Sequence, residues 1–249
     1  PSRRSFSPRP TNWLKHKPTG RGNRSASSRR PADGHGIERI FEGLRAADGI
    51  ALLDLSEAER VRQLGWRGPI LLLEGAFETR DLEMCSRLNL WHVVHSEAQI
   101  DMLAVHKTHQ PHRVFLKMNT GMNRLGFAPQ AFRAAWTRLN ALPQVDEISL
   151  MSHFSDADGD KGIGAAMALF HQFTHDLSGE RSLCNSAASL RHAHDVLVRA
   201  DWIRPGIALY GSSPDYPHHS AQDWNLKPVM SLNADIIAIQ NLQAGDTVG

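Results

Sequence analysis

Val114-Phe115-Leu116-Lys117-Met118-Asn119-Thr120-Gly121-Met122-Asn123-Arg124-Leu125-Gly126-Phe127 is the stretch on which the reading of this chain turns. Its first half is a short apolar run of strand-forming residues. Its second half turns on Gly121 and Gly126 while presenting Lys117 and Arg124. A buried strand that empties into a glycine-punctuated loop carrying cations is how α/β proteins build sites for anionic ligands. A plain strand and turn with solvated cations would read the same way, so the rest of the chain has to decide.

Upstream and downstream the same unit recurs. Strand-like runs begin near residues 50, 70, 90, 114, 147, 182 and 201, and most are separated by segments with helical periodicity, such as Ile37, Ile40, Phe41 and Leu44. Ser56-Glu57-Ala58-Glu59 reads as the cap of a helix reaching Leu64. Repeated β-α units imply parallel strands. Seven of them with polar residues at the strand ends fit a (β/α)8 TIM-type barrel better than an open sheet. The fold class expected is therefore α/β: an incomplete barrel at residues 34–222, lacking strand one. Residues 223–249 break the pattern. Met230 to Ile239 alternates partly and reads as the beginning of a C-terminal all-β domain.

Composition bounds the class. Of 249 residues, 41 % are hydrophobic and 22 % charged, which is ordinary for a globular protein. No apolar run approaches a membrane span, no secretory leader is recognisable, and Cys85 and Cys184 are the only cysteines. A cytoplasmic location without membrane association is the expectation. The net charge of +2 conceals a split. Residues 1–33 carry nine Arg or Lys against Asp33 alone, leaving 19 cations against 25 acids, a net of −6, for the remainder. This segment is rich in Ser, Pro and Gly and is expected to be disordered or foreign to the barrel. It lacks the aromatic interleaving of a nucleic-acid arm, so nucleic acid is not the expected partner.

The strand ends deliver Lys117 and Arg124, His153, Asn185 and Ser186, then Arg204, Gly206 and Ile207. On a barrel these converge on one mouth, where backbone donors near Ser186 and Gly206 suit a phosphate. His153 with Asp156 and Asp158 makes no recognised metal pattern, and no metal is expected. The remaining histidines, His106, His109, His112, His171, His175, His192, His194, His218 and His219, read most simply as surface residues. Spacing alone supports a barrel that binds a small anionic or phosphorylated ligand.

The motifs go further. From Gly34 onward the chain resembles the bacterial alanine racemases of the fold-type III, pyridoxal-phosphate-dependent class. The resemblance rests on Gly34-His35-Gly36, Lys117-x-x-Thr-Gly-Met-x-Arg-Leu-Gly126, Met151-Ser-His-Phe154, Asn185-Ser186-Ala187 and Arg204-Pro-Gly-Ile-x-Leu-Tyr-Gly211, all in order. It implies interconversion of L-alanine and D-alanine for peptidoglycan precursors, pyridoxal 5'-phosphate as cofactor, and a homodimer. It implies that Ser186, Gly206 and Ile207 hold the cofactor phosphate with Asn185 at the pocket edge. His153 would pack on the pyridine ring, and Arg204 would meet its nitrogen. Arg124 would contact cofactor and substrate carboxylate, and Lys117 would be a candidate for carbamylation. The family's two proton-transfer groups are a lysine on strand one and a tyrosine in the second domain. Read without a gap, Arg29 stands at the lysine position, and the tyrosine would lie beyond Gly249. The polypeptide as written is therefore expected to be an inactive fragment. Another pyridoxal-phosphate-dependent amino-acid racemase or a decarboxylase is the alternative on this scaffold, and a non-catalytic cofactor-binding or nucleic-acid-binding relic is the other.

Overall fold

Strands that are covered on both faces should read as unbroken apolar runs, and the sheet is assembled from such runs. The computed structural model describes residues 36–108, 110–195, 200–231 and 233–247, together with the backbone of residues 24–28. The elements alternate: β1 Arg24–Ser28, α1 Ile37–Leu44, β2 Gly49–Leu52, α2 Leu55–Gln63, β3 Ile70–Leu72, α3 Thr79–Arg87, β4 Trp91–Val94, α4 Glu97–Val105, β5 His112–Lys117, α5 Pro129–Asn140, β6 Val145–Met151, α6 Gly164–Thr174, β7 Arg181–Ser182, α7 Ser186–Arg191 and β8 Trp202–Ile203. All neighbouring strands are parallel, and the order β1 to β8 closes into a barrel. The seven runs named from the sequence are β2 to β8. Asp54, rather than Ser56, caps α2, its carboxylate accepting from the Ser56 amide at 2.7 Å and the Glu57 amide at 3.4 Å.

The sequence reading set residues 1–33 apart from a barrel of seven strands. Within that segment the backbone of Arg24–Ser28 pairs with β2 through Ala26↔Gly49, Ser27↔Ile50 and Ser28↔Ala51, and with β8 through Arg24↔Trp202 and Ser25↔Ile203. The reason is that ladder pairing uses backbone groups only. Two strands with unpaired N–H and C=O groups accept a third whatever its side chains are. The ring is thinnest along this seam, where β7 and β8 share the single pair Ser182↔Trp202.

The register sorts side chains into two sets, because successive residues on a strand point to opposite faces. Ile50, Leu52, Ile70, Leu72, Val94, Val114, Leu116, Ile148 and Leu150 belong to the two clusters that include the helices' apolar residues, among them Phe41, Leu82, Phe132 and Phe170. The other set points into the barrel. Ala51, Leu71, Val93, Phe115, Met151 and Trp202 form a third cluster. Trp91 stacks on Phe115 with ring centroids 5.8 Å apart and meets Trp202 edge-on at 5.4 Å. This aromatic layer fills the lower barrel.

One expectation is revised. His106 and His112 are buried, not on the surface, and lie with His92 in one cluster. His92 Nε2 is 3.3 Å from His112 Nδ1, and the His106 and His112 rings are 5.3 Å apart. Burial, with His112 and His106 beside it, pushes the His92 pKa down to about 3; burial and His106 push His112 down to about 4. Imidazole is polar enough to read as surface in a sequence, yet neutral it packs as an aromatic ring. His171, His175, His194 and His218 are exposed as expected, and His109 lies outside the described residues. The β alternation over Met230–Ile239 forms no strand among the described residues, and Ile236, Ile237 and Ile239 are exposed. Alternation alone cannot make a sheet, since each strand needs a partner for its backbone groups.

At the N-terminal ends of the strands, one side chain collects four carbonyls. Arg62 donates from Nε to Leu88 O at 2.9 Å and from its terminal nitrogens to Trp66 O at 3.1 Å, Gly68 O at 2.7 Å and Asn89 O at 2.8 Å. Arg62→Ala strips these acceptors of their donor and is expected to destabilise the fold by roughly 2–3 kcal/mol, read as a lower urea midpoint at unchanged slope. An unchanged midpoint would show that water replaces the guanidinium at no cost.

Candidate active site at the barrel mouth

Two residues further along the inward-facing set, the aromatic layer gives way to a cavity of about 300 Å³ lined by Leu53, Leu73, Glu74, Lys117, Arg124, Leu125, Met151, His153 and Arg204. Phe115 is followed on the same face by Lys117, and Trp202 by Arg204. The cations predicted at strand ends therefore meet over the filled lower barrel, at the C-terminal face where barrels carry chemistry.

Arg204 is 4 % exposed. Its guanidinium donates to Ser182 Oγ at 2.5 Å, to Ser152 O at 2.6 Å and to Leu183 O at 3.3 Å. Burial lowers its pKa to about 10, which still leaves it charged at neutral pH. Ser152 is itself tied in, its hydroxyl lying 2.6 Å from Thr120 Oγ1 and donating to Met118 O at 3.1 Å. Ser152, Ser182 and Glu74 were not singled out in the sequence. The available signal was their place at the C-terminal ends of β6, β7 and β3.

Lys117 is buried, and neither a hydrogen bond nor an ion pair to its amine occurs among the described residues. Burial first, then Arg204 and Arg124, lowers its pKa from 10.5 to about 8, against a smaller opposing pull from Glu74. His153 is affected more strongly. Burial and the charges of Arg204, Lys117 and Arg124 hold it near 3, so its ring is neutral at physiological pH. Asn185 Nδ2 donates to Phe154 O at 3.0 Å and lies 3.5 Å from His153 Nε2, while its Oδ1 accepts from the Ala188 amide and caps α7.

Ser186 and Gly206 meet directly. The Gly206 amide donates to Ser186 Oγ at 2.8 Å and the Ala208 amide to the same oxygen at 3.3 Å. Ile207 opens the 3-10 turn Ile207–Tyr210 between them. Arg124 rides on a loop closed at its base by Asn119 N to Phe127 O and Phe127 N to Lys117 O, each 2.9 Å. Inside the loop Asn119 Oδ1 accepts from the amides of Gly121 and Asn123. Gly126, at φ +123°, is required here, because a Cβ would sit 2.7 Å from the Asn119 nitrogen. The structure thus brings Lys117, Arg124, His153 and Arg204 to one cavity and places Asn185, Ser186, Gly206 and Ile207 at the neighbouring strand ends. Arg29 lies outside the described residues. No group of three His, Cys, Asp or Glu among the described residues is arranged to hold a metal ion.

The sequence profile of the alanine racemase N-terminal domain matches residues 30–214. The chain belongs to that family. The alanine racemase of Methylibium petroleiphilum is 74 % identical over 218 residues, which cover 88 % of this chain and 59 % of that protein. That of Polaromonas sp. is 70 % identical over 218 residues, with 88 % and 60 % covered. Among solved structures, the biosynthetic alanine racemase from Pseudomonas aeruginosa superposes with a TM-score of 0.77 at 37 % identity, over 83 % of this chain and 57 % of that one. The alanine racemase from Acinetobacter baumannii gives 0.80 at 30 % identity, over 96 % and 67 %. The chain thus spans about three fifths of the length of the curated relatives it matches. No helix among the described residues is long and apolar enough to cross a membrane.

Within this racemase-family barrel the Lys117 shift has a signed consequence. A lysine whose folded pKa is depressed binds fewer protons folded than unfolded, so its burial penalty is fully present below about pH 8 and disappears as pH rises through the unfolded value of 10.5. Lys117→Met is expected to be more stable than the parent at pH 7, with the difference shrinking from pH 8 to 10.5. Parallel urea titrations of both proteins across that range check this, and a difference independent of pH would exclude a buried charge as its cause.

Proposed function

We propose that this chain is the cofactor-binding barrel of an alanine racemase, a cytoplasmic, homodimeric isomerase that interconverts L-alanine and D-alanine for peptidoglycan. One observation carries the reading: in a chain of this family, a cavity at the barrel mouth gathers Lys117, Arg124 and Arg204 around a neutral His153. The donor set suits pyridoxal 5'-phosphate. The Gly206 and Ala208 amides already converge on one oxygen, Ser186 Oγ, as they would on a phosphate oxygen.

Bound pyridoxal phosphate supplies an electron sink that lets the α proton of an amino acid depart. The chain's own residues bind and orient. Ser186, Gly206 and Ile207 hold the phosphate, with Asn185 fixing the edge of that pocket through its bond to Phe154 O. His153, kept neutral, offers a flat face to the pyridine ring without adding charge. Arg204, fixed by Ser182 and Ser152, would meet the ring nitrogen. A guanidinium donates a hydrogen bond there and keeps its proton, which limits how much charge the ring withdraws. Arg124, on its loop, receives the cofactor oxygen and the substrate carboxylate. Lys117 is a candidate for carbamylation, since only a neutral amine attacks carbon dioxide and its depressed pKa raises that fraction. The product would be an anion beside Arg124 where a cation otherwise repels it. Residues 223–249 begin the all-β domain, with Ile236, Ile237 and Ile239 available to partner strands.

Racemisation needs proton transfer on both faces of the bound amino acid. At the position read for the lysine, Arg29 cannot serve, because its guanidinium holds its proton. The 249-residue polypeptide is expected to bind pyridoxal phosphate saturably and to leave L-alanine unconverted. Arg124→Ala, on an exposed loop and so harmless to the fold, is expected to weaken cofactor binding by about tenfold, or 1.4 kcal/mol. Fluorescence titration and chiral analysis of alanine read both. Absence of saturable binding would overturn the reading.

A further inference from the structure

Six lysines occur in the sequence, and none lies between Lys17 and Lys107, so β1 to β4 and the loops following them carry no primary amine. Lys15 and Lys17 lie outside the described residues. Lys107, Lys161 and Lys227 are exposed. Lys117 alone among the described lysines is buried, on the inward face of β5, in a cavity it shares with Arg124, His153 and Arg204. We infer that Lys117 is the group through which this chain holds an anionic aldehyde covalently, the aldehyde being pyridoxal 5'-phosphate and the link a carbon–nitrogen double bond to Nζ. This rests on the cofactor-binding reading above and adds to it the bond.

The step balances without an oxidant or reductant. The Nζ lone pair attacks the aldehyde carbon and the carbonyl oxygen takes up a proton. That oxygen leaves as one water, carrying the two hydrogens the amine gives up, and the C=N bond remains. The surroundings favour it on three counts. Burial and two neighbouring guanidinium groups oppose protonation of the amine and so keep its lone pair available. Arg124 and Arg204 cannot compete for the aldehyde, since they do not deprotonate, yet they attract the anionic ligand. Lys117, with neither a hydrogen bond nor an ion pair among the described residues, has no protein contact of that kind to give up. The same nitrogen cannot hold a carbamate and this bond at once, so carbon dioxide and the aldehyde are alternative occupants.

The test uses the full 249-residue chain at pH 8. It is incubated with pyridoxal 5'-phosphate, reduced with borohydride to fix any C=N bond as a secondary amine, digested and mapped by mass spectrometry. The expected result is an adduct concentrated on Lys117 and lost in Lys117→Arg, which keeps the charge without the nucleophile. Lys107, Lys161 and Lys227 serve as internal controls for surface labelling. Labelling spread over those three, with Lys117 unmodified, overturns the inference. A parallel titration with pyridoxamine 5'-phosphate, which has no aldehyde, separates the two ideas. Saturable binding of that compound with Lys117 unmodified by pyridoxal phosphate leaves the cofactor-binding reading standing and removes the covalent bond. Failure of both compounds to bind removes both.

Discussion

A guanidinium taken out of water must find acceptors for its donors, and Arg204 is where this barrel meets that demand. Its contacts reach Ser182 at the end of β7, Ser152 just after β6, and Leu183 in the segment leaving β7. Ser152 in turn reaches Thr120 and Met118 after β5. One buried cation thus fixes the relative positions of four consecutive strand ends, β5 to β8. Those four ends carry Lys117, His153, Asn185, Ser186 and Gly206. The polar network is costly to bury and is kept satisfied throughout, the condition under which such networks specify a single arrangement.

The price of that arrangement is electrostatic. Lys117, Arg124 and Arg204 line the cavity, with Glu74 as the one carboxylate among the described residues of its lining. After burial, the charges of Arg204 and Arg124 push the pKa values of Lys117 and His153 down. An anion entering the cavity relieves it. The body of the chain after residue 33 is net negative by six charges, so the positive mouth is a local feature of a field that otherwise repels anions. A cleft of one sign between low-dielectric walls concentrates ligands of the opposite sign.

What could be read from the sequence follows from which forces leave marks in it. The seven apolar strands were legible because burial on both faces demands unbroken runs such as Ile70-Leu71-Leu72. Lys117, Arg124, His153 and Arg204 were legible because strand ends break those runs with polar side chains. β1 was not, because Arg24-Ser25-Ala26-Ser27-Ser28 joins through backbone groups that every residue carries. Ser152 and Ser182 were missed for a related reason. A serine that orients an arginine looks like any other serine until the acceptor geometry is known. His92, His106 and His112 were misjudged or passed over because burial of an imidazole depends on which helix covers it, and no periodicity records that. The isoleucines after residue 230 show the converse, an alternation that is present in the sequence without a sheet to express it.

The filled lower barrel and the charged mouth are consequences of one register. Along β5 the inward face reads Phe115 then Lys117. The segment from β8 reads Trp202 then Arg204, and β4 adds Trp91 and Val93 below. The outward face of the same strands holds Leu116, Val114, Val94, Ile148 and Leu150 against the helices. A slip of one residue would exchange the two sets. Lys117 would then press into the apolar layer beneath α5 and α6, and Leu116 would line the cavity. The free energy of burying the outward leucines and valines therefore holds the lysine in place as firmly as any contact of its own could. The amine needs no hydrogen bond to be positioned, so in its neutral form the lone pair stays free for a ligand.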